Sequence, residues 1–387
     1  MFFSSLRTAS FRNLADGEIL TGAKDIFLVG ENGQGKTNFL EALYFCAYAS
    51  SFRALRDSEL AREIKMSHNG MPPKKEKVFS AEVKIEQSVN DDILIVFENG
   101  KKSIFINGKR AEDRKELLSI APTIVFCHED MEFVSGSPER RRWFFDQTLS
   151  FYDSIYLDDL RRFKKVLKTR NTILRDYTQL KHRLHNGSSE SPENVLDALD
   201  PQFALYGLKL MEKRQKAAEE FSVLFSKLYE EVSGIRGINV NYIKTWKMQP
   251  DKNNHLSEDE VISFLHEKRE SDMAAGLSLS GPHRDRYSFS HNGADFIVKA
   301  STGQRRLLAL LLRAAQARRF SAETKINPVL LLDDVLLEMD GEKRRRFLSV
   351  LPDYDQAFYT FLPDEPYQRY QKNDTIIYNV KNGQVSK

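Results

Sequence analysis

The first 130 residues alternate short apolar runs with polar turns, a pattern that predicts β-strands. One helix is predicted in this part, over residues 37–49, and it opens directly from a glycine-rich loop. Asn107 and Gly108 mark a tight turn after one of the apolar runs. The predicted strands cover residues 2–6, 25–29, 78–85, 92–97, 102–106 and 122–126.

The middle of the chain has a helical pattern. It begins with residues 138–183, and the polar residues 185–192 predict an exposed turn after them. Apolar residues at three-and-four spacing then predict a long helix over residues 201–232. A strand is predicted over residues 238–246, and Ser257 opens a capping box that starts another helix.

After Gly276 the pattern returns to strands and loops. A basic, leucine-rich helix is predicted over residues 304–320, followed by a very apolar strand over residues 329–332. A second short strand is predicted over residues 357–360. The C-terminal part therefore resembles the N-terminal part more than it resembles the middle.

These patterns predict an α/β fold whose main domain is built from both ends of the chain. That domain, the head, comprises residues 1–135 and 276–387. A second, mostly helical lobe is predicted over residues 136–275, inserted between the two halves of the head. A chain of 387 residues is long enough for two such domains.

Composition narrows the class of protein without deciding its function. The net charge is +3, so only a local basic surface could favour nucleic acid. Cys46 and Cys127 lie in apolar surroundings and are expected to be reduced core residues, which favours a cytoplasmic location. No apolar run approaches the ~20 residues of a membrane helix, and polar residues interrupt the N-terminus as they would not in a signal peptide. No membrane association is expected.

The glycine-rich loop has the pattern GxxxxGK[ST], which is typical of a P-loop for nucleotide phosphates. Its glycines allow backbone N–H groups to face the phosphates, and the start of the following helix adds partial positive charge. Lys36 would neutralise the β- and γ-phosphates of ATP, and the Thr37 hydroxyl would bind Mg²⁺. The alternative is a chance glycine-rich turn. The predicted phosphate-binding residues are Gly30, Glu31, Asn32, Gly33, Gln34, Gly35, Lys36 and Thr37.

The apolar strand over residues 329–332 ends in two acids, Asp333 and Asp334. A P-loop ATPase needs a carboxylate at the tip of a parallel strand to hold Mg²⁺, which suits Asp333. Asp334 is then placed to orient or deprotonate the attacking water. The alternative is a surface turn after a core strand. Together with Lys36, these acids form the predicted catalytic set.

Ser301, Gly303 and Gln304 precede the leucine-rich helix and can form an anion cradle at its start. Between a P-loop and an acidic strand, they resemble the signature motif of ABC ATPases. That resemblance implies that the signature of one subunit reaches the γ-phosphate held by the P-loop of another, in an ATP-sandwich dimer. Residues 338–340 resemble the D-loop of the same family, with Asp340 at the interface.

Further motifs are spread over nearly the whole chain, at residues 11–14, 27–45, 51–53, 136–138, 140–142, 145–146, 167–168, 170–171, 280–285, 301–316 and 328–340. Together they resemble the RecF family of bacterial recombination mediators. This resemblance implies an ABC/SMC-type P-loop ATPase head with a compact helical arm, ATP-dependent dimerisation and slow hydrolysis. It also implies binding to DNA, including single-strand/double-strand junctions, and work with RecO and RecR in replication, recombinational repair and the SOS response.

The chain departs from the pattern of this family at a few positions. Arg286 stands where a second aspartate is usual, and His128 stands where a proline is expected. Thr360 occupies the position of the switch histidine of transporter ATPases, and either senses the γ-phosphate or simply ends a strand. Residues 283–285 form either a lobe contact or a part of the nucleotide or DNA site.

Two groups of cations are candidates for DNA contact. Arg53 follows the P-loop helix, where SMC-like heads place an arginine that couples DNA to the active site. The basic stretch over residues 161–175 could follow phosphates without sequence preference, although a solvated helix face is the usual explanation for such a run. The candidates in this stretch are Arg161, Arg162, Lys164, Lys165 and Lys168.

Other functions fit less well. A transporter ATPase would have its P-loop and signature closer together, without a basic helical insertion. Another SMC-like head would carry long coiled-coil arms, which are missing here. A GTPase is excluded because the NKxD motif that reads guanine is absent from the sequence.

Overall fold

The computed structural model describes residues 1–62, 78–87, 90–184, 192–247, 256–336 and 339–387. Two parts of the sequence prediction, the turn at residues 185–191 and the D-loop residue Glu338, lie outside these ranges. The strands are β1 (Phe2–Ala9), β2 (Gly17–Leu20), β3 (Asp25–Val29), β4 (Phe79–Glu86), β5 (Asp91–Glu98), β6 (Lys101–Ile106), β7 (Lys109–Arg110), β8 (Thr123–Phe126), β9 (Ile238–Ile243), β10 (Arg286–His291), β11 (Ala294–Asp295), β12 (Val329–Leu332), β13 (Gln356–Phe361), β14 (Thr375–Lys381) and β15 (Gln384–Ser386). The helices are α1 (Lys36–Tyr48), α2 (Lys115–Ile120), α3 (Glu132–Ser135), α4 (Pro138–Ser150), α5 (Ser154–Leu184), α6 (Pro192–Ser233), α7 (Glu258–Ala275), α8 (Phe296–Lys299), α9 (Thr302–Thr324) and α10 (Gly341–Ser349).

Backbone contacts divide the chain into two compact units. Unit 1 contains Met1–Met131 and Ala309–Lys387, and unit 2 contains Glu132–Leu308. The predicted division placed the second boundary at residue 276, whereas this one falls inside α9. The reason is that β10 pairs with β9 in antiparallel register, so the chain after Gly276 still belongs to the sheet of the helical lobe.

Unit 1 contains two six-stranded sheets, with strand orders β2-β1-β4-β5-β6-β7 and β15-β14-β3-β13-β12-β8. The first is antiparallel and alternates buried with less buried positions, for example along β4. In the second, β14, β3, β13, β12 and β8 run parallel, and β3, β13, β12 and β8 are buried along their whole length. Such continuous burial requires unbroken apolar strands, which explains why the sequence pattern located them.

Helix α1 contributes to the apolar core of unit 1. Its Phe39 and Phe45 are fully buried and belong to one cluster with Phe11, Phe79 and Phe358 of the surrounding strands and loops. Phe39 lies 6.2 Å from Phe358, and Phe45 lies 5.5 Å from Phe79, measured between ring centroids. The start of α1, and with it the P-loop, is therefore held in a fixed position.

Unit 2 consists of the helices α3 to α8, the first turns of α9 and the three-stranded sheet β11-β10-β9. Aromatic side chains form much of its core: Phe145 stacks on Tyr287 at 3.9 Å, and Phe163 stacks on Phe203 at 5.0 Å. Gly207 of α6 leaves room for Trp246, because a Cβ there would lie 2.6 Å from the indole ring.

Several element boundaries differ from the predicted ones. Helix α6 begins at Pro192 and continues through Pro201, so the segment before residue 201 and the predicted helix over residues 201–232 form one continuous helix. Strand β9 ends at Ile243 because the next turn bends to place Thr245 against Asp285. The C-terminal hairpin of β14 and β15 was not predicted, although its Asn382-Gly383 turn is a local hairpin signal.

Candidate nucleotide-binding site

The glycine-rich loop joins the buried strand β3 to α1, as its sequence predicts. Gly33 and Gly35 have φ angles of 77° and 118°, which only glycine adopts without strain. Gly30 is confined, because a Cβ there would lie 2.3 Å from the carbonyl oxygen of Val380. Lys36 is buried, and its ammonium donates to the carbonyl oxygens of Gly30 at 2.6 Å and Glu31 at 3.1 Å. The loop thus has the conformation of a phosphate-binding loop, with the Lys36 ammonium held against its backbone.

The acidic strand end lies beside this loop. Strand order β3-β13-β12 brings the carboxyl ends of three parallel strands together, which is where ligands bind in α/β sheets. The Thr37 hydroxyl donates to Asp333 Oδ1 at 2.9 Å, so residues almost 300 positions apart meet directly. The predicted P-loop and the predicted acid therefore form one site within unit 1.

Thr360, at the end of β13, joins the two acids. Its hydroxyl accepts the backbone N–H of Asp334 at 2.7 Å, and lies 2.9 Å from Asp334 Oδ1 and 3.3 Å from Asp333 Oδ1. Because a hydroxyl has one proton, it can donate to only one of these carboxylates at a time. Asp334 has a φ of 52°, a left-handed conformation that is uncommon outside glycine and asparagine. The hydrogen bonds of Thr360 thus stabilise the conformation of the turn after β12.

The electrostatics of Asp333 suit a cation. Burial and the neighbouring Asp334 raise the pKa of Asp333 to about 7, although hydrogen bonds from Thr37 and Thr360 oppose the shift. A carboxylate in this state is stabilised by added positive charge. The Thr37 hydroxyl and the Asp333 carboxylate are the hard oxygen ligands that Mg²⁺ prefers. The residues present therefore fit the magnesium ion expected from the sequence.

A further carboxylate lies on α1, the helix that follows the loop. Glu41 on α1 is fully buried and accepts hydrogen bonds from Arg12 at 3.0 Å and Arg53 at 2.7 Å. Burial opposes its ionisation, but the two arginines and Ser51 hold the pKa of Glu41 below its usual value. Arg53, predicted as a DNA contact, also donates to Asn38, next to Thr37 in sequence. Glu41 was missed by sequence reasoning, although a charged residue inside an apolar helical segment was a usable signal.

The signature residues lie in unit 2, at the start of α9. Ser301 and Gln304 form a reciprocal cap: Ser301 Oγ accepts from Gln304 N at 3.3 Å, and the Gln304 side chain accepts from Ser301 N at 2.8 Å. Ser301 and Gly303 are exposed. The cap uses the Ser301 oxygen as an acceptor, so its hydroxyl proton can still be donated to an anion. An exposed signature is a requirement of the predicted sandwich.

Asp340, the predicted D-loop residue, caps α10 in unit 1. Its carboxylate accepts from the backbone N–H and the ammonium of Lys343, both at 2.8 Å, and these bonds lower the pKa of Asp340. Asp340 is exposed, as an interface residue of a separate chain would be. Its interface role stays a prediction.

The 283–285 segment is part of the scaffold of unit 2. Asp285 is buried and accepts from the hydroxyls of Tyr242 and Thr245. His283 packs against both Phe163 and Phe203, and burial lowers the pKa of His283 to about 4, so the ring is neutral near pH 7. Of the two readings left open by the sequence, the contacts support the lobe contact for His283 and Asp285. Arg284 and Arg286 remain exposed.

The basic helix α5 presents most of its cations to solvent. One member of the run differs: Arg170 is fully buried, and donates to Asp200 at 2.9 Å and Asp272 at 2.7 Å. It is therefore a structural residue, not part of a basic surface. Within residues 161–175, the exposed cations are Arg161, Arg162, Lys164, Lys165, Lys168 and Arg175.

Among the described residues, no helix is both long and apolar enough to cross a membrane. Cys46 and Cys127 are buried and free, as expected from their apolar surroundings.

The fold of unit 1 and the joined P-loop and acidic strand define an ABC/SMC-type P-loop ATPase head. Residues 2–385 match the family of the RecF/RecN/SMC N terminal domain. The chain is 40% identical to the DNA replication and repair protein RecF of Treponema pallidum over 374 residues, covering 97% of this chain and 98% of that one. The chain belongs to the RecF family.

Other similarities agree with this assignment. A RecF of Staphylococcus aureus is 29% identical over 399 residues, covering 100% of both chains. The solved structure described as the recombination mediator protein RecF-ATP in the RecFOR pathway has a TM-score of 0.83 at 26% identity, covering 100% of this chain and 97% of that one. An Smc head bound to the C-winged helix domain of ScpA has a TM-score of 0.52 at 17% identity, covering 100% of this chain and 96% of that one, and it shares the fold.

Proposed function

We propose that this chain is an ATP-dependent DNA-binding protein of DNA replication and recombinational repair, including the SOS response. ATP acts mainly as a dimerisation switch and is hydrolysed slowly. On DNA, the dimer promotes loading of a recombinase at gaps by RecO and RecR. The observation that supports this most directly is the Thr37–Asp333 hydrogen bond, because it joins the phosphate cradle to the acidic strand end in one site.

The proposed roles of the site residues follow from their positions. The N–H groups of the P-loop and the Lys36 ammonium bind the β- and γ-phosphates of ATP. Thr37 and Asp333 hold Mg²⁺, which when bound neutralises phosphate charge. Asp334 orients the attacking water and accepts its proton, and Thr360 holds the Asp334 carboxylate in place. Hydrolysis of this kind depends on positioning and charge stabilisation, so each of these contacts matters.

The second half of the site comes from another copy of the chain. Ser301 and Gly303 are exposed at the start of a 23-residue helix, and the Ser301 proton is available to the γ-phosphate. Gln304 holds Ser301 in this orientation through the reciprocal cap. Asp340 lies at the same interface in this proposal. Dimerisation then requires ATP, because the nucleotide is the contact between the two halves.

DNA binding is assigned to the exposed cations of α5, together with Arg53. Arg161, Lys164, Lys165 and Lys168 are spaced at three and four residues and share one face of α5. A helix face of this kind binds backbone phosphates without reading sequence, which suits a protein that acts at duplexes and single-strand junctions. Work on chromosomal DNA implies a cytoplasmic location.

The test measures the oligomeric mass with and without ATP, by size-exclusion chromatography with light scattering, and repeats it with gapped duplex DNA. We expect a monomer without ATP and a dimer with it. Lys36→Ala should lose ATP binding, and Ser301→Arg should bind ATP but remain monomeric.

The chain offers a matched control. Ser257 and Glu260 form the same kind of capping box at the start of α7, so Ser257→Arg removes an equivalent cap elsewhere in unit 2. This variant should still dimerise with ATP. A Ser301→Arg protein that dimerises as well as Ser257→Arg would refute the sandwich.

A further inference from the structure

The turn of the C-terminal hairpin contacts the P-loop. Asn382 and Gly383 connect β14 to β15 with φ angles of 51° and 79°. The backbone N–H of Gly383 donates to the carbonyl oxygen of Gln34 at 2.8 Å, and the N–H of Asn382 donates to the Gln34 side chain at 2.7 Å. Two donors of one turn thus bind one residue of the loop, across almost the full length of the sequence.

Asn13 contacts the same loop. Its side-chain amide donates to the carbonyl oxygen of Gly33 at 3.3 Å and its oxygen accepts from Asn38 at 2.6 Å. The next segment is tied to the turn, because Ala15 N donates to the carbonyl oxygen of Gly383 at 2.9 Å. Asn13 belongs to the motif over residues 11–14, next to Arg12, which bonds to Glu41.

The spacing between these segments leaves no room for a side chain. A Cβ at Gly383 would lie 1.8 Å from the backbone oxygen of Asn13, and a Cβ at Gly35 would lie 2.9 Å from the Asn13 side-chain oxygen. Contacts below 3.0 Å between a Cβ and the backbone require a shift of the chain. The close packing at Gly383 is therefore a property of this contact and not of the hairpin.

Other hairpins of the described chain support this distinction. The turns at Asn99-Gly100, Asn107-Gly108 and Asn292-Gly293 have the same pair of positive φ angles, near 50° and 70–80°. A Cβ at Gly100, Gly108 or Gly293 would meet nothing within 4 Å. All of these turns need glycine for backbone conformation, but among them only Gly383 also needs it for contact.

We infer that Asn13 and the Asn382-Gly383 turn form a clamp that positions the P-loop for nucleotide binding. Within the backbone of the loop, the hydrogen bond from the Gln34 N–H to the Glu31 oxygen is long, at 3.4 Å. The clamp supplies shorter bonds from outside and uses the carbonyl oxygens of Gly33 and Gln34. Those peptide units are then oriented with their oxygens away from the cradle, so N–H groups face the phosphates. The clamp residues are positioning residues, and the inference rests on the proposed nucleotide site.

The experiment compares Gly383→Ala with Gly108→Ala in the full chain. Both substitutions place alanine in the same strained turn conformation, so both should lower the melting temperature, and Gly383→Ala should lower it further because its Cβ also meets the backbone of Asn13. Only Gly383→Ala should displace the P-loop. We expect its Kd for ATP to rise at least tenfold over the wild type, against less than twofold for Gly108→Ala.

A second measurement does not depend on nucleotide. Hydrogen exchange of the P-loop amides in the ligand-free chain should become faster in Gly383→Ala and stay unchanged in Gly108→Ala. If Gly383→Ala does not fold, Asn13→Ala replaces it, with an expected loss of ATP affinity of about fivefold and the same exchange signature.

The outcomes separate the clamp from the proposed function. Unchanged amide exchange, or an ATP affinity equal to that of Gly108→Ala, would overturn the clamp. Failure of the wild type to bind ATP would instead contradict the proposed function, and amide exchange would still decide whether the clamp holds the loop.

Discussion

Buried carboxylates occur in both units, and their surroundings differ. In unit 2, Asp146 accepts two hydrogen bonds from Arg214, both at 2.9 Å, and Asp200 and Asp272 share the buried Arg170. In unit 1, Asp333 accepts from the Thr37 hydroxyl, lies 3.3 Å from the Thr360 hydroxyl and stands beside another acid, Asp334. In the first arrangement each buried acid has a buried cation as its partner, whereas the second concentrates negative charge.

The difference separates charges that hold the fold from charges that serve a ligand. In a buried ion pair, the attraction and the hydrogen bonds offset much of the cost of desolvating the charges, and removing one partner leaves the other uncompensated. A buried carboxylate beside a second acid costs free energy until a cation reaches it. Unit 1 contains both kinds, since Asp130 pairs with Arg313 at 2.9 Å near the site. Substitutions at each kind of site should therefore have opposite effects on stability and activity.

The largest effect is expected at Arg214. Arg214→Ala leaves Asp146 buried without its cation and removes the bond to the carbonyl oxygen of Pro282, so the free energy of unfolding should fall by about 3–5 kcal/mol. Urea denaturation of the full chain, followed by intrinsic fluorescence, measures this fall in the free energy of unfolding. Arg161→Ala, at an exposed position of α5, is the control and should change stability by less than about 0.5 kcal/mol. A loss below about 1 kcal/mol for Arg214→Ala would show that the buried Asp146 carboxylate costs no more stability without its cation than with it.

The acid pair should make stability depend on pH in the opposite direction from ordinary paired carboxylates. Burial raises the pKa of Asp333 to about 7, whereas the usual value is 3.8, so between these pH values the folded chain binds more protons than the unfolded chain. The free energy of unfolding of the magnesium-free chain should therefore fall as pH rises from about 4 to about 7, by about 4 kcal/mol at most. Asp333→Asn should remove this dependence, which denaturation at pH 5 and pH 7.5 can measure. Equal pH dependence in both proteins would contradict the assignment.

Turnover should respond to Asp334 without a matching response in stability. Asp334→Asn keeps the turn but removes the proton acceptor, so the rate of ATP hydrolysis should fall about 100-fold while ATP binding is retained. The control is Asp25→Asn, a buried carboxylate at the opposite end of β3 that bonds to Tyr354. That variant should hydrolyse ATP at nearly the normal rate. Loss of hydrolysis in both would mean that any buried acid of this sheet is required.

The smallest effect concerns the exposed charges of α5. Lys165→Glu with Lys168→Glu should weaken binding to duplex DNA about tenfold and reduce its dependence on salt, with no change in stability. Lys216→Glu with Lys227→Glu, at exposed positions of α6, changes the net charge equally. Titrations at several salt concentrations compare the two. Equal weakening by both pairs would point to overall charge instead of a surface on α5.

The sequence was sufficient to predict the P-loop and the acidic strand. Both are local: a glycine-rich loop between a buried strand and a helix, and two acids after four buried apolar residues. It also predicted the capping box at Ser257, because its two partners are three residues apart. Patterns of this kind are decided by backbone conformation within one or two turns, so tertiary packing leaves them unchanged.

What the sequence could not provide were the partners of residues far apart in the chain. Arg170 belonged to a basic run, and only packing against Asp200 and Asp272 makes it structural. In the sequence, Asn382 and Gly383 indicate only a local turn. The tertiary structure brings this turn into contact with Gln34.

The sequence alone therefore determined the chemistry available to this protein, namely a phosphate loop, a pair of acids, and a serine and a glycine at the start of a helix. Tertiary structure alone decided which charges face each other, because the strand order β3-β13-β12 brings Thr37, Thr360 and Asp333 together. Hydrogen bonds and burial act over a few ångströms in space, and separation along the chain carries no information about such distances.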